Sequence, residues 1–333
     1  MIIMRFAFWK GPVKQADTHL GTDDIELKAF PLETARKAEE EKRRLLGQVS
    51  QTLASLQSTP FFEGVTGASE IPEGARERRV KGLANNVRNG SLDQEVRKAS
   101  LDALVKCTEL RDQGWTPKVC AYQSAVEELG DLAIDKTLPK DYRGPALTRV
   151  LGLASGDVMT YGNSAQASSL QELSRLISSS TDLETQMQII NAVAPRTRDA
   201  TTSHGALGTS YSAIKIMQTG LASPNVEAKV KALTVGKLCD TSVFSGSGVK
   251  YLDCMENAWA AVLPALSMDD VPQEAKSTIL NTARGDTITG HQPMVNAAAQ
   301  QISTALTTGK LNPELQSLAK AVLDLTVYQE ALP

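Results

Sequence analysis

Aromatic side chains are scarce in this chain: Phe, Trp and Tyr make up 5% of 333 residues. A β-sandwich or barrel of this size would fill its sheet faces with aromatic and β-branched residues. Here the core has to come mainly from Leu, Val, Ile and Ala, which suits close-packed helices. An excess of one charge is lacking too. The formal net charge is −3, which argues against broad coating of nucleic acid but leaves room for a local basic stripe. No window approaches the roughly 18 apolar residues a membrane helix needs. The opening MIIMRFAFWKGP is interrupted by Arg5 and Lys10 and lacks a small-residue cleavage site, so it is a poor signal peptide. A soluble protein is expected.

Reactive groups are few. The four cysteines, Cys107, Cys120, Cys239 and Cys254, share no CxxC spacing and sit among apolar helical residues. They are expected as buried, reduced thiols, which points to a reducing, cytoplasmic compartment. Secretion into a host cell without a signal peptide leaves no sequence mark and stays open. His19, His204 and His291 lie far apart in segments expected as loops, with no metal-ligand spacing. Ser245–Lys250, SGSGVK, lacks the GxxxxGK[ST] spacing of a phosphate loop. The RGD of Arg284–Asp286 is expected at a helix end. No nucleophile elbow or Cys–His pair can be identified. The expectation is a protein that is not an enzyme and holds no cofactor or metal.

What is there is helical periodicity. Residues 1–32 mix Gly, Pro and Asp and are expected as an irregular or disordered arm, with an apolar knot at Phe6, Phe8 and Trp9. Residues 33–57 form a charged helix, either a cap on the next helices or a coiled-coil arm. After a Pro/Gly break, apolar residues recur at i, i+3, i+4 and i+7 almost to the chain's end, with no convincing period-2 run. Helices with a capping residue ahead of an apolar seam start near Asp93, Asp141, Asp182, Ser223, Asp270 and Asn312, 41 to 48 residues apart. Pro224 and Pro313 fall in first-turn slots of this scheme, and another amphipathic helix precedes each start. The expected fold is all-α, about six stacked antiparallel helix pairs over residues 72–333.

The period and the aliphatic seams, Val96, Ala99, Ala103 and Leu104 in the first unit and Leu315, Leu318, Ala319 and Val322 in the last, resemble the HEAT/armadillo superfamily of α-solenoids over roughly residues 72–330. The units are degenerate, and Ser and Thr are more abundant than that class leads one to expect. The resemblance implies a curved stack whose concave face is lined by the second helix of each pair.

Past their first turns those second helices are rich in bases: Arg97, Lys98, Lys106, Arg143, Arg149, Lys229, Lys231, Lys237, Lys276, Arg284 and Lys320, against Asp102 and Asp324. The first helices lean acidic, with Glu127, Glu128, Asp131, Asp135, Glu172, Asp253 and Glu256. This sorting makes a mildly basic face the candidate site for an acidic segment of another protein, led by Arg97, Lys98, Arg149, Lys229, Lys276 and Lys320. Ordinary solvated helix surface is the alternative. The loops between units supply a second candidate edge, with Trp115, Arg196, Arg198 and His204. Trp259 is expected in the core. The functional expectation is a protein–protein interaction module, an adaptor, scaffold or delivered effector. Two alternatives stand beside it: a HEAT-like enzyme acting on nucleic acid, and a structural subunit assembling through helix 33–57.

Overall fold

The structure, a computed structural model, describes residues 23–57, 74–109, 121–156, 163–179, 182–198, 204–242, 249–289 and 292–330. The arm's aromatic knot, Trp115, Cys120, His19 and His291 lie outside the described residues. Every regular element among those described is helical.

Helix α1 (Asp23–Gln57) begins at Asp23 rather than at 33, so part of the expected arm is helical. Six pairs come after it. They are α2 (Ala75–Arg88) with α3 (Gln94–Cys107), α4 (Ala121–Ile134) with α5 (Lys140–Ser155), and α6 (Asn163–Ser179) with α7 (Leu183–Val193). Next come α8 (His204–Ala222) with α9 (Ala228–Ser242), α10 (Val249–Val262) with α11 (Gln273–Thr289), and α12 (Gln292–Thr307) with α13 (Pro313–Glu330). Short 3-10 turns, Ala194–Arg198 and Leu263–Ser267, extend α7 and α10. In chain order the six pairs are repeats one to six.

Each first helix packs on the first helix of the next repeat, α2 on α4 and so on to α10 on α12, and each second helix packs on the next second helix, α3 on α5 through to α11 on α13. Substantial packing joins only neighbouring repeats. This nearest-neighbour pattern is what helix pairs adopt when neither can bury its apolar faces alone. One continuous core results, running from Val49 to Val322. Trp259 is 2% exposed within it, and Cys107, Cys239 and Cys254 are buried free thiols.

The chain divides into two compact units, Met1–Gly47 and Gln48–Pro333, with the boundary inside α1. In the first, residues 33–44 are exposed apart from half-buried Lys42 and are laced by local ion pairs, Lys37–Glu33 at 2.9 Å, Arg36–Glu40 at 3.1 Å and Arg43–Glu39 at 3.3 Å. Such pairs support a helix that buries nothing. In the second unit, Val49 and Leu56 of α1 join the core beside Val80 and Leu83, and Arg79 donates to Ser55 Oγ at 2.8 Å.

The helix starts agree with the expected caps in three repeats and differ in three. Asp93 and Asp182 accept from the backbone N–H of Glu95 and Glu184, at 2.8 and 3.3 Å, and Asn312 accepts from Leu315 N at 2.9 Å with Pro313 opening α13. Helix α5 instead starts at Lys140, placing Asp141 inside its first turn. Ser223 and Pro224 lie in the turn ahead of α9, and Asp270 lies in the turn ahead of α11. Side chains that cap helices also stabilise turns: Asn89, Asp135 and Ser223 each accept from the N–H two residues on, at 3.0, 2.9 and 3.3 Å. An aliphatic residue then closes four of these links, Leu138, Val226, Val271 and Leu311, each no more than 4% exposed. The true starts of the second helices are 46, 43, 45, 45 and 40 residues apart. Two other expectations shift. His204 opens α8 instead of lying in a loop, and Arg284–Asp286 lies inside α11.

Candidate functional site

When the second helices are numbered from their first residues, one register governs all six. The fourth residue is long and polar each time: Arg97, Arg143, Gln186, Lys231, Lys276 and Gln316. Three of them grip the next repeat at the residue just before its buried aliphatic. Gln186 Nε2 donates to Asn225 O at 2.9 Å, and its Oε1 accepts from Glu227 N at 3.2 Å. Lys231 pairs with Asp270, and Lys276 Nζ donates to Lys310 O at 2.9 Å. Arg97 works differently. It donates to Val87 O at 2.9 Å and lies 4.4 Å from the centroid of the Tyr142 ring in the next repeat, a cation–π contact.

These contacts decide where the expected binding residues stand. Lys276 is 1% exposed and its pKa is pushed down by burial, so it serves the stack. Arg149 is 13% exposed at its side chain, donates to Thr108 Oγ1 at 2.8 Å and faces Glu109 at 3.3 Å. Arg97 is half-buried. Lys98, Lys229 and Lys320 are exposed, at the fifth, second and eighth positions of their helices, and so do not form one row. Much of the basic bias of the second helices is thus spent between repeats. Arg196 and Arg198 are half-buried in the 3-10 turn after α7. The Arg196 carbonyl accepts from Ser210 Oγ at 3.1 Å, and a Cβ on Gly156 would lie 3.1 Å from its guanidinium.

In four of the six second helices the solvent face is formed by the second, fifth or sixth, and ninth positions. It carries Glu95, Lys98 and Asp102 on α3; Asp141, Pro145 and Thr148 on α5; Glu184, Gln188 and Asn191 on α7; and Glu274, Thr278 and Asn281 on α11, all exposed. Spacings of three and four place each set on one helix face. Because the second helices pack side by side, the second positions, exposed in all six, form a row along the stack, whereas half-buried Ala232, Leu233 and Gly236 of α9 interrupt the other two.

The first-helix layer carries a cleft of about 400 Å³ between α4 and α6, lined by Gln123, Glu127, Asp131, Ser168, Gln171, Glu172 and Arg175. Arg175 bridges Asp131, at 2.6 Å, and Glu172. Burial raises the Glu172 pKa, and the Arg175 hydrogen bond opposes that rise. Glu172 lies over Gly130, where a Cβ would fall 1.8 Å from its Oε1. From α2, Arg88 reaches Glu128 at 2.9 Å and Asp131 at 3.9 Å. Sequence reasoning misses this network: the acidic first helices are visible in the chain, but not their basic partners one repeat away. A second groove, about 450 Å³, lies between the last turns of α1 and α2.

Nothing in the described geometry assembles a reactive centre. Burial pushes the Cys107 thiol up to about 12, which keeps it protonated and a poor nucleophile. Among the described residues no cluster of His, Cys, Asp and Glu is placed to hold a metal, and no helix is long and apolar enough to cross a membrane.

No protein-family model and no curated protein sequence matches the chain. Solved structures do. An engineered protein from a structural genomics consortium is 14% identical over 85% of this chain and 97% of its own, with a TM-score of 0.37. Computationally designed armadillo repeat proteins for modular peptide recognition are 15% identical over 74% of this chain and 99% of theirs, at 0.37. A designed armadillo repeat protein in complex with the peptide (KR)4 is 17% identical over the same shares, at 0.35. At these scores the likenesses carry no argument about binding, and the architecture rests on the stacking of the pairs and the register of their second helices. By fold, this chain is an all-α solenoid of stacked antiparallel helix pairs.

Proposed function

We propose that the chain is a non-enzymatic scaffold that binds an extended segment of another protein along the second-helix face. The observation that carries this reading is the register of those helices: four of the six fourth-position groups, Arg97, Gln186, Lys231 and Lys276, reach the next repeat, and the second position is charged and exposed in all six helices. Packed helices lie about 8–10 Å apart, so the row of second positions offers a charged group about once per three residues of an extended chain. Such an array suits backbone and side-chain hydrogen bonds to a strand-like segment, with short polar groups such as Thr148, Asn191 and Asn281 at the ninth position.

Preference for an acidic segment now rests on the exposed bases, Lys98, Lys106, Lys229, Arg284 and Lys320, because the buried bases are committed inside the stack. Exposed acids at the second position, Glu95, Asp141, Glu184, Glu274 and Glu314, offset those lysines, so a segment carrying both signs fits this face better. Of the second candidate edge, Arg196 and Arg198 in the 3-10 turn after α7 are a flanking contact in this reading. Assembly through α1 has less support, since Ala35 and Ala38 are the only apolar residues from 33 to 44 and leave no coiled-coil seam.

The test is selection of random twelve-residue peptides on the intact chain, with affinities read by fluorescence anisotropy. Asn191→Arg with Asn281→Arg should weaken selected peptides at least tenfold, and Glu127→Arg on the other layer should not. Peptides that bind both variants alike, or no selected peptides at all, would refute the proposal.

A further inference from the structure

We infer that the solenoid is locked by two different chemistries, so that salt loosens repeats one to three while the junction between repeats three and four holds. The first two junctions carry ion pairs on both layers, beside the Arg97–Tyr142 contact at the first and a bond from Gln166 Nε2 to Ala154 O at 3.2 Å at the second. Arg88 of repeat one reaches Glu128 at 2.9 Å and Asp131 at 3.9 Å in repeat two, and Arg175 of repeat three reaches the same Asp131 at 2.6 Å. One carboxylate therefore ties three successive first helices together. On the other layer Arg149 of repeat two faces Glu109 of repeat one at 3.3 Å, and Lys140 of repeat two faces Glu184 of repeat three at 3.6 Å. Each of these pairs but Arg88–Glu128 has at least one member open to solvent: the side chains of Asp131, Arg175 and Glu109 are 49%, 44% and 55% exposed, against 11% for Glu128 and 13% for Arg149.

The junction between repeats three and four is bridged by neutral groups. Gln186, 0% exposed, takes both the Asn225 carbonyl and the Glu227 N–H. Asn225 Nδ2 donates to Ser178 O at 3.0 Å, and the buried hydroxyls of Thr197 and Thr241 bond at 2.7 Å. Later junctions mix the two kinds: the buried Lys231 ammonium meets Asp270, Lys276 meets a carbonyl, and half-buried Lys310 meets exposed Asp269.

Screening acts on the two kinds unequally. The Debye length falls from about 30 Å at 0.01 M salt to about 3 Å at 1 M, which weakens charges in contact with water and leaves buried neutral hydrogen bonds almost untouched. Exposed pairs matter mainly when they form a network, and Arg88, Asp131 and Arg175 with Glu128 and Glu172 form one. In a stack whose stability is a sum of neighbour interfaces, weakening two adjacent interfaces opens those repeats first.

Amide hydrogen exchange on the intact chain, read by mass spectrometry at 0.01 M and 1 M NaCl, tests this. Protected amides of α2, α4 and α6 should exchange about three to ten times faster at high salt, and those of α8 and α9 should change less than twofold. Asp131→Asn, a half-exposed site that tolerates the change, should exchange fast in α2 to α6 already at low salt and lose most of its salt response. Gln186→Met should loosen α7 to α9 equally at both salts. Equal salt responses in the two regions, an intact response in Asp131→Asn, or a new salt response in Gln186→Met would overturn the inference.

Discussion

Replacing Asp270 by alanine is expected to cost more than replacing its partner Lys231 by methionine, although the same contact is lost in both. Lys231 is 0% exposed at its side chain and Asp270 is 52% exposed. Removing Asp270 leaves an ammonium inside the stack without the carboxylate that compensates it. Breaking a fully buried pair this way costs about 3–5 kcal/mol. Water reaching the Asp270 side of the contact brings the expected loss nearer ~2–3 kcal/mol. In Lys231→Met the apolar stem keeps its packing, the ammonium no longer has to be desolvated, and Asp270 keeps its water. Substitutions of this kind are often neutral or stabilising, so a change within about 1 kcal/mol is expected. The double variant should resemble Lys231→Met to within about 0.5 kcal/mol, giving a coupling energy of about 2 kcal/mol. Urea unfolding followed by far-UV circular dichroism reads the difference. With an m value near 2–3 kcal/mol/M, Asp270→Ala should lower the midpoint by roughly 1 M relative to Lys231→Met. Equal midpoints, or a lower midpoint for Lys231→Met, would refute the claim that burial of the ammonium sets the balance.

Two further outcomes are expected from the geometry. Burial raises the Cys107 pKa from its ordinary 9.0 to about 12, so the folded thiol holds its proton where the unfolded one has lost it. The stability this confers is intact below pH 9 and drains away as pH rises to 12, by at most about 4 kcal/mol. Cys107→Ala should flatten that part of the stability–pH curve, and the native thiol should stay unreactive toward a thiol reagent at pH 8. Gly156 ends α5 at φ +69° with Arg196 close to its missing Cβ, whereas Gly236 lies inside α9 with nothing within 4 Å. Gly156→Ala is therefore expected to lower stability by about 1–2 kcal/mol and Gly236→Ala to raise it by about 0.5–1 kcal/mol, measured as thermal unfolding shifts of opposite sign.

The fold class and the count of six repeats were legible because helical periodicity is strong and local. The caps at Asp93, Asp182 and Asn312 stood where their side chains suggested. The starts of α5, α9 and α11 were not legible, because Asp141, Ser223 and Asp270 are as suited to a turn or a first turn as to a cap. A better signal was present: the aliphatic residue that closes each link, Leu138, Val226, Val271 or Leu311. Aligning on it brings Arg143, Lys231 and Lys276 into one register, in which Lys231 and Lys276 join one repeat to the next. The candidate site was legible only in part. Charge sorting between layers could be counted from sequence, but whether a base met solvent or its neighbour could not.

That distinction separates what the chain's own order of residues determined from what the stack decided. Amphipathic helix pairs with few aromatics, neither able to bury both faces alone, had to stack into one elongated core, and local periodicity contains that much. Which lysines face water depends on the offset between one repeat and the next. Contacts some 34 to 44 residues apart set that offset, such as Lys276 with the Lys310 carbonyl and Arg175 with Asp131. Only packing brings those partners within hydrogen-bonding distance: the spacing from a link's aliphatic residue singles out Lys231 and Lys276, but the groups they meet lie a repeat away.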